Sequence, residues 1–330
     1  MIDSFLAGSV FTSPGLVDPG AYRPTILTGP TAVGKTAVAL ALAESLPVRI
    51  ISADSMQVYR GLDIGTAKPT AEEQQRTAHY GIDLSDPDAP YSVAHWVSAV
   101  APQVEETIRS GDLPLIVGGT RLYLQSLAGS FRPTAPPDPE LRMRLTSEAA
   151  EIGVEALHAR MTKIDPSAGA RIHPHDLKRI MRALEVHDHT GSTITEEQLR
   201  SQEEGPRFPA LKIALVRDRS ELYAMVEQRT KAMLREGWIE EVQRLIEAGF
   251  GQGLEEIKAH GYRELALHLQ GRASLEDALV RINLNVRHYV RYQLGWIRQM
   301  SDVVMIEASQ PAQQIAEVVR GLILQQTEGS

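Results

Sequence analysis

The run Gly29-Pro30-Thr31-Ala32-Val33-Gly34-Lys35-Thr36 is the strongest evidence for the fold of this chain, because it fits the phosphate-loop (P-loop) pattern G-x-x-x-x-G-K-[ST]. An apolar run, Thr25 to Thr28, precedes it, and an alanine-rich run, Ala37 to Leu46, follows it. These flanks predict a strand and a helix, which is the context that the pattern requires. Backbone N–H groups and a helix N-terminus then converge on an anion, so the run predicts a site for a diphosphate or triphosphate. The alternative is a glycine-containing turn without a ligand.

Two side chains of this loop carry chemistry of their own. Lys35 adds a positive charge beside the phosphates, and the Thr36 hydroxyl can hold a magnesium ion (Mg²⁺). The loop alone leaves the reaction open, because one fold serves many activities.

Composition narrows the class of protein. The chain has 330 residues, a formal net charge of −8 and no cysteine. The lack of cysteine excludes disulfides and thiolate metal sites and fits a cytoplasmic location. No apolar run approaches the ~20 residues that a membrane helix needs, so we expect no membrane association. The acidic balance argues against a general nucleic-acid binder, although it can hide local basic patches.

Strand-like and helical patterns alternate along the chain, which predicts an α/β fold with a doubly wound parallel sheet. The five apolar strand candidates are Thr25–Thr28, Val48–Ser52, Leu113–Val117, Lys212–Val216 and Val303–Glu307. Residues 118–211 separate the third candidate from the fourth, many more than a crossover needs. We therefore predict a P-loop core of residues 23–127 and 210–330, with a helical insertion domain of residues 128–209 between proline-rich edges. Residues 1–22 form an N-terminal extension that we expect to be poorly ordered.

Two strand ends beside the phosphate loop carry distinctive residues, and ligands of parallel sheets bind at such ends. Asp54 follows the second strand, where a carboxylate can hold magnesium or accept a proton; the alternative is a helix cap. Gly118-Gly119-Thr120 follows the third strand, where many ATPases place a metal-binding acid. This difference weakens the prediction of an ATPase or kinase, although the two glycines also suit a plain tight turn.

An arginine lies in an apolar stripe of the segment from Glu221 to Glu236. Leu222, Val226, Arg229 and Met233 share one helical face by their spacing. A buried arginine requires an anion, either a protein carboxylate or a substrate phosphate. The turn-rich segment from Asp63 to Pro69 is predicted to be a loop near the same site.

Two basic patches interrupt the acidic chain, one between Arg171 and Arg182 and one between Arg281 and Arg298. The second also contains Tyr289, Tyr292 and Trp296. Basic residues can neutralise RNA phosphates and aromatic rings can stack on bases. Each patch by itself also fits a solvated helix face over core aromatics.

Taken together, these motifs resemble the tRNA dimethylallyltransferase family, also called tRNA isopentenyltransferases. The resemblance rests on GPTAVGKT at 29–36, DSMQVYRGLDIGTAKP at 54–69, VGGTRLYLQSL at 117–127, ARIHPHDLKRIMRALEV at 170–186 and GYRE at 261–264. It implies transfer of a dimethylallyl group from dimethylallyl diphosphate to the exocyclic amine of the adenosine immediately 3′ of the anticodon in tRNA. It also implies a monomer that binds the anticodon stem-loop.

The resemblance assigns roles to individual residues. The loop would hold the diphosphate leaving group through Gly29, Pro30, Thr31, Ala32, Val33, Gly34, Lys35 and Thr36. The catalytic residues would be Asp54 as general base, Thr31 near the oxygen between carbon and phosphorus, Arg229 on the diphosphate, and Lys35. Contacts with tRNA would come from Asp54, Ser55, Met56, Gln57, Thr120, Arg142, Lys178, Arg179, Arg182, Lys258, Gly261, Tyr262 and Arg263.

Three other functions remain open from the sequence. Prenylation of free adenine nucleotides needs the same loop but no domain that grips tRNA. A small-molecule kinase would use the loop for ATP. A nucleotide-switched RNA-binding module would need no catalytic Asp54.

Overall fold

The computed structural model describes residues 22–133, 138–257 and 259–327. Of the predicted N-terminal extension only Tyr22 falls in these ranges, and Lys258 lies outside them. The described residues form one six-stranded parallel sheet, ordered β3-β2-β4-β1-β5-β6, which confirms the predicted doubly wound α/β fold. Its strands are β1 (Thr25–Thr28), β2 (Val48–Ser52), β3 (His79–Tyr80), β4 (Leu113–Val117), β5 (Leu211–Val216) and β6 (Val303–Glu307).

Helices connect the strands and cover both faces of the sheet. The helices around the core are α1 (Lys35–Ala43), α2 (Ala71–Arg76), α3 (Val93–Arg109), α4 (Arg121–Ala128), α10 (Arg219–Arg235), α11 (Trp238–Leu245), α12 (Gly251–Glu256), α13 (Tyr262–Leu269), α14 (Leu275–Ile297) and α15 (Ala312–Thr327). The helices between β4 and β5 are α5 (Pro139–Ile152), α6 (Val154–Ile164), α7 (Pro166–Arg171), α8 (Leu177–Thr190) and α9 (Ile194–Glu204). A kinked segment, Ile246–Phe250, joins α11 to α12, and Gly249 has a left-handed φ of 96° at the kink.

The strand predictions are confirmed at four of five positions to the residue, and β5 begins one residue earlier than predicted. Strand β3 has two residues, too few for a period-two pattern to reveal it. Helix α1 begins at Lys35 and ends at Ala43, earlier at both ends than the predicted Ala37 to Leu46. This shift places Lys35 in the first turn of the helix.

Two apolar clusters cover opposite faces of the sheet. Consecutive strand residues point to opposite sides, so Ile26 packs in one cluster and Leu27 in the other. Both are buried, as expected for a parallel strand covered by helices on each face. The carboxyl ends of β1, β2 and β4 therefore open at one edge between these layers.

The helices between β4 and β5 have an apolar cluster of their own, which includes Leu141, Leu157 and Leu184. A buried carboxylate, Glu185, joins α8 to α5: it accepts hydrogen bonds from Arg142 (2.9 and 3.0 Å) and from the Asp138 backbone (2.8 Å). The helical character of the insertion is as predicted, and its boundaries at 128 and 209 stay a prediction. Over the described ranges, no helix has the length and apolar character to cross a membrane.

Candidate active site

The phosphate loop, residues 29–36, joins the end of β1 to the start of α1. Its tight curve depends on Gly34, which has φ 100°, and on the close approach of Gly29, where a Cβ would lie 2.6 Å from the Leu215 carbonyl oxygen. Val33 is buried in the core, so of this residue only the backbone can face a ligand. The residues of the loop thus produce the cradle geometry that the pattern predicts.

Lys35 lies across this loop. Its Nζ donates to the carbonyl oxygens of Gly29 and Pro30, each at 2.9 Å. The pKa of Lys35 is lowered to about 8: burial lowers it most, the charge of Asp54 partly opposes this, and nearby Arg229 contributes to the lowering. The positive charge of the Lys35 ammonium group is therefore only partly balanced by nearby negative charge. An anion bound at the loop would stabilise this charged form.

Arg229 reaches the loop from α10. Its guanidinium donates to the Thr31 hydroxyl at 3.4 Å, and burial lowers its pKa against the opposing effect of Asp54 and Glu236. Leu222, Val226 and Met233 on the same face are buried, as the stripe predicts. Arg229 thus brings a second partly buried positive charge to the cradle.

Asp54 lies in a turn directly after β2. Its Oδ1 accepts a hydrogen bond from the Met56 backbone at 2.9 Å, so the carboxylate stabilises this turn. The alternative of a helix cap is wrong, because a turn and not a helix follows Asp54. The carboxylate lines the same cavity as Lys35 and Arg229 and acts electrostatically on both.

The Gly118-Gly119-Thr120 turn after β4 packs against the Asp54 turn. A Cβ at Gly118 would lie 2.2 Å from the Ala53 carbonyl oxygen, so only glycine fits there without displacement. Thr120 accepts a hydrogen bond from the Ser55 backbone at 3.0 Å through its hydroxyl. The two glycines permit this close contact between the segments that follow β2 and β4. A tight turn without a neighbouring segment would not require glycine for such a contact.

A cavity of about 480 Å³ contains these groups. Part of its wall is apolar, formed by Met56, Val226, Met233, Trp238, Ile282 and Val286. A second cavity, about 860 Å³, also borders the loop and shares Lys35, Thr36 and Arg229 with the first. The phosphate loop therefore contributes residues to both cavities.

The segment from Asp63 to Pro69 lines both cavities, as predicted, and two buried residues fix it. Glu241 accepts hydrogen bonds from the backbone of Asp63 (3.2 Å) and Ile64 (2.9 Å), and from the Tyr262 hydroxyl (2.6 Å). Trp238 packs beneath the segment so closely that a Cβ at Gly65 would lie 2.1 Å from the indole nitrogen. The sequence gives no signal for Glu241 or Trp238, because both contacts join residues more than 170 positions apart.

The predicted tRNA-contacting residues of the core divide into exposed and buried groups. Ser55, Met56, Gln57 and Thr120 line the first cavity. Gln57 also accepts from the Ser52 hydroxyl at 2.7 Å and donates to the Thr66 carbonyl at 3.2 Å, so its amide stabilises the surrounding loop.

The side chain of Tyr262 is fully buried against Glu241, so the predicted tRNA contact of this residue would have to use its backbone and stays a prediction. Gly261 is buried too, and its φ of 97° lets the backbone pass over Trp238. Arg263 is exposed and remains a candidate. Lys258 lies outside the described residues.

In the insertion, Lys178 and Arg179 are exposed on the first turn of α8. Arg142 and Arg182 instead make ion pairs with Glu185, at 2.9 and 2.7 Å. Arg142 thereby joins α5 to α8, whereas the Arg182 pair lies within α8. Contact with a phosphate would have to use the exposed parts of their guanidinium groups.

The aromatic residues of α14 have three different environments. Trp296 is buried in the core, as the alternative interpretation expects. Tyr289 lines the cavity and donates to the Gly119 carbonyl at 3.3 Å, and Tyr292 is exposed at the cavity mouth with its ring stacked on that of Tyr289. Only Tyr292 is open enough to stack on a base.

Magnesium would find few protein ligands here. The described residues contain no group of three or more His, Asp or Glu side chains placed to hold a metal. The Thr36 hydroxyl lines both cavities beside the loop. This donor set fits an ion that is held mainly by phosphate and water oxygens, which is the usual preference of magnesium.

The fold places this chain among the phosphate-loop α/β proteins. Within that class, the missing acid after β4 distinguishes it from ATPases that bind metal there. A model of the IPP transferase family matches residues 57–300, and a model described as isopentenyl transferase matches residues 23–85. The chain belongs to the IPP transferase family.

Curated relatives agree with this assignment. The tRNA dimethylallyltransferase of Thermomicrobium roseum is 42% identical over 312 residues, which cover 93% of this chain and 94% of the relative. That of Syntrophobacter fumaroxidans is 41% identical over 295 residues, which cover 89% and 86%.

Solved structures share the architecture. The tRNA isopentenylpyrophosphate transferase of Bacillus halodurans has a TM-score of 0.65 and 34% identity, with 93% of this chain and 98% of that chain covered. A eukaryotic dimethylallyltransferase acting on tRNA has a TM-score of 0.77 at 24% identity, with 92% and 78% covered. The second similarity concerns the fold alone.

Proposed function

We propose that this protein transfers a dimethylallyl group from dimethylallyl diphosphate to the exocyclic amine of the adenosine immediately 3′ of the anticodon in tRNA. The bond between the allylic carbon and the diphosphate oxygen breaks, and a bond from that carbon to the adenine nitrogen forms. The nitrogen loses one proton, and diphosphate leaves with the electron pair of the broken bond. The relatives named tRNA dimethylallyltransferase support this choice of donor and acceptor.

The observation that carries the proposal is the placement of charges in one cavity. Lys35 and Arg229 face the phosphate loop, and the carboxylate of Asp54 lies in the same cavity. No carboxylate follows β4, where phosphoryl-transfer enzymes of this fold often need one. The arrangement suits a reaction in which the diphosphate departs and a separate acceptor loses a proton.

The two positive groups would stabilise charge on the leaving diphosphate. As the carbon–oxygen bond breaks, negative charge grows on the oxygen that joins carbon to phosphorus, and preorganised cations lower the barrier. Thr31, which accepts from Arg229, would contact this oxygen. Magnesium, held by Thr36 and the phosphate oxygens, would supply further neutralising charge when bound.

Asp54 would serve as the general base. The adenine amine is a poor nucleophile, so a carboxylate that accepts its proton contributes about 10²–10⁴-fold to the rate. The Met56 backbone holds Oδ1 at 2.9 Å and so fixes the orientation of the carboxylate toward the cavity. The apolar wall that contains Val226, Met233 and Trp238 would receive the dimethylallyl chain.

The insertion would grip the anticodon stem-loop through phosphates. Lys178 and Arg179 are its exposed cations on α8, and Arg263 is an exposed cation on the core. The target base has to leave its stack to reach a cavity, at a cost of a few kcal/mol. Phosphate contacts on both parts of the protein would offset that cost.

Transfer assays with purified protein and labelled dimethylallyl diphosphate test the proposal. We expect label in an anticodon stem-loop with adenosine 3′ of the anticodon, and none when guanosine replaces it. Asp54→Asn is the matched control, because it keeps the shape of the side chain and removes the base. Label in AMP and not in the stem-loop would show a free-nucleotide prenyltransferase instead, and phosphate transfer from ATP would show a kinase.

A cytoplasmic location and a monomeric state stay predictions. The absence of cysteine from the sequence supports the first. Size-exclusion chromatography with light scattering tests the second.

A further inference from the structure

Gln293 on α14 is a buried polar side chain to which the proposed chemistry gives no task. It is 2% exposed, yet both ends of its amide have a partner. Oε1 accepts from the Thr31 backbone at 2.8 Å, and Nε2 donates to the Gly119 carbonyl at 3.2 Å. Burial of an amide is costly unless such bonds form, so this residue requires an explanation.

The two partners belong to the two halves of the site. Thr31 lies in the phosphate loop, where the diphosphate is proposed to bind. Gly119 precedes Thr120, whose hydroxyl accepts from the Ser55 backbone at 3.0 Å, next to Asp54. One side chain therefore bridges the leaving-group side and the proton-accepting side of the cavity.

The local geometry favours this bridge over other arrangements. A Cβ at Gly119 would lie 2.1 Å from Nε2 of Gln293, so glycine is needed for the amide to reach the carbonyl oxygen. Tyr289, one turn earlier on α14, donates to the same oxygen at 3.3 Å. In addition, the Thr31 N–H donates to Gln293 and not to a bound anion, and this hydrogen bond fixes the orientation of the loop.

We propose that Gln293 is a positioning residue that sets the separation between the phosphate loop and Asp54. It acts through Thr31 on one side and through Gly119, Thr120 and Ser55 on the other. The inference rests on the proposed function, since it concerns the reacting geometry of that site. Displacement of a reacting group by about 1 Å can cost roughly 10²-fold in rate.

The test is a set of kinetic cycles with Gln293→Met, which keeps the length of the side chain and removes both hydrogen bonds. We expect kcat for transfer to the stem-loop to fall about 10²-fold, while the separately measured Kd for each substrate changes only a few-fold. In the Asp54→Asn background the same substitution should lower kcat by less than about threefold, because the coupling to the base is already absent.

Two further variants separate positioning from general loss of stability. Thr107→Val also removes a hydrogen bond of a fully buried side chain, to the Gln103 carbonyl within α3, and should leave kcat unchanged. Gly119→Ala perturbs the bridge from its other end and should reproduce the loss in kcat if Gln293→Met folds poorly.

The proposal is overturned if Gln293→Met lowers kcat no more than Thr107→Val does. It is also overturned if the loss is equal with and without Asp54, since the residue would then act independently of the base. Failure of the proposed function is a different result, in which the wild-type protein itself transfers no dimethylallyl group to the stem-loop.

Discussion

Lys35 should give the reaction an alkaline limit. With a pKa of about 8 in the unliganded protein, its ammonium form is lost as the pH rises through that value. In the proposed site diphosphate binds the charged form of Lys35, so kcat/KM for dimethylallyl diphosphate should fall above pH 8. Because kcat/KM for dimethylallyl diphosphate reports the form of the enzyme that has not yet bound this substrate, the pKa of Lys35 without diphosphate is the relevant one.

The size of the effect follows from the fraction of protonated lysine. A group with a pKa near 8 is mostly charged at pH 7 and about one-tenth charged at pH 9, so kcat/KM should fall roughly tenfold between these values. A bound diphosphate raises the pKa of Lys35 by its charge, so kcat should stay flat and KM should carry the change. Near pH 8, binding should take up about half a proton per ligand.

Initial rates at saturating stem-loop between pH 6.5 and 9.5 measure the alkaline limb, which is the fall of kcat/KM as the pH rises. Calorimetry in buffers of different ionisation enthalpy measures the proton uptake on binding. Other cavity groups should not interfere, because burial lowers the pKa of His260 and raises that of Tyr289. Lys35→Met should have a low kcat/KM that does not change with pH. Lys35→Arg should show no fall in kcat/KM at alkaline pH, because a guanidinium stays charged. A flat wild-type profile, or the same limb in Lys35→Met, would refute the assignment.

Three further outcomes are expected. Asp54→Asn should lower kcat about 10²–10⁴-fold and move the alkaline limb to lower pH, since the Asp54 charge raises the pKa of Lys35; an unmoved limb would contradict this. Gly118→Ala should destabilise the protein by about 1–3 kcal/mol in thermal denaturation, because its Cβ would clash with the Ala53 carbonyl oxygen. The control is Gly321→Ala in α15, where a Cβ meets nothing within 4 Å, and it should stabilise the protein by about 0.5–1 kcal/mol. Glu185→Gln should lower the free energy of unfolding by about 1–3 kcal/mol at pH 7. Burial raises the pKa of Glu185, but hydrogen bonds from its arginine partners outweigh burial, so the net pKa is lowered. The stability advantage of the wild type should therefore disappear as the pH falls through that lowered pKa.

The sheet was predictable because its signal is local. Four strands of four or five residues, each with at least two apolar side chains, are visible in the sequence together with the loop pattern, so the order of strands and helices needs no tertiary information. The cradle followed for the same reason, since one contiguous run contains the glycines, Lys35 and Thr36. Asp54 was predictable by position, because it follows a strand whose carboxyl end must lie beside that of β1.

The rest of the site depends on contacts between distant segments. Gln293 meets Thr31 from 262 positions away, and Glu241 meets Asp63 from 178 positions away. A glutamine or glutamate on a helix is common on the surface, so nothing local marks these two as buried. Burial of Tyr262 was equally hidden in the sequence, since its motif predicts contact with tRNA but its ring faces the core.

In the proposed reaction, the charges around the phosphate loop explain how the site would favour departure of the diphosphate. Lys35 and Arg229 repel each other, and the carboxylate of Asp54 offsets only part of that repulsion. Such a pair is held in place by the fold at the expense of stability, which is typical of functional sites. Free diphosphate carries more negative charge than the allylic ester, so the pair gains more attraction as the carbon–oxygen bond breaks than it has with the substrate. That difference lowers the barrier, because only an interaction that strengthens toward the transition state raises kcat. It also makes diphosphate the better ligand, so diphosphate should inhibit competitively against dimethylallyl diphosphate and lose most of its affinity in Lys35→Met.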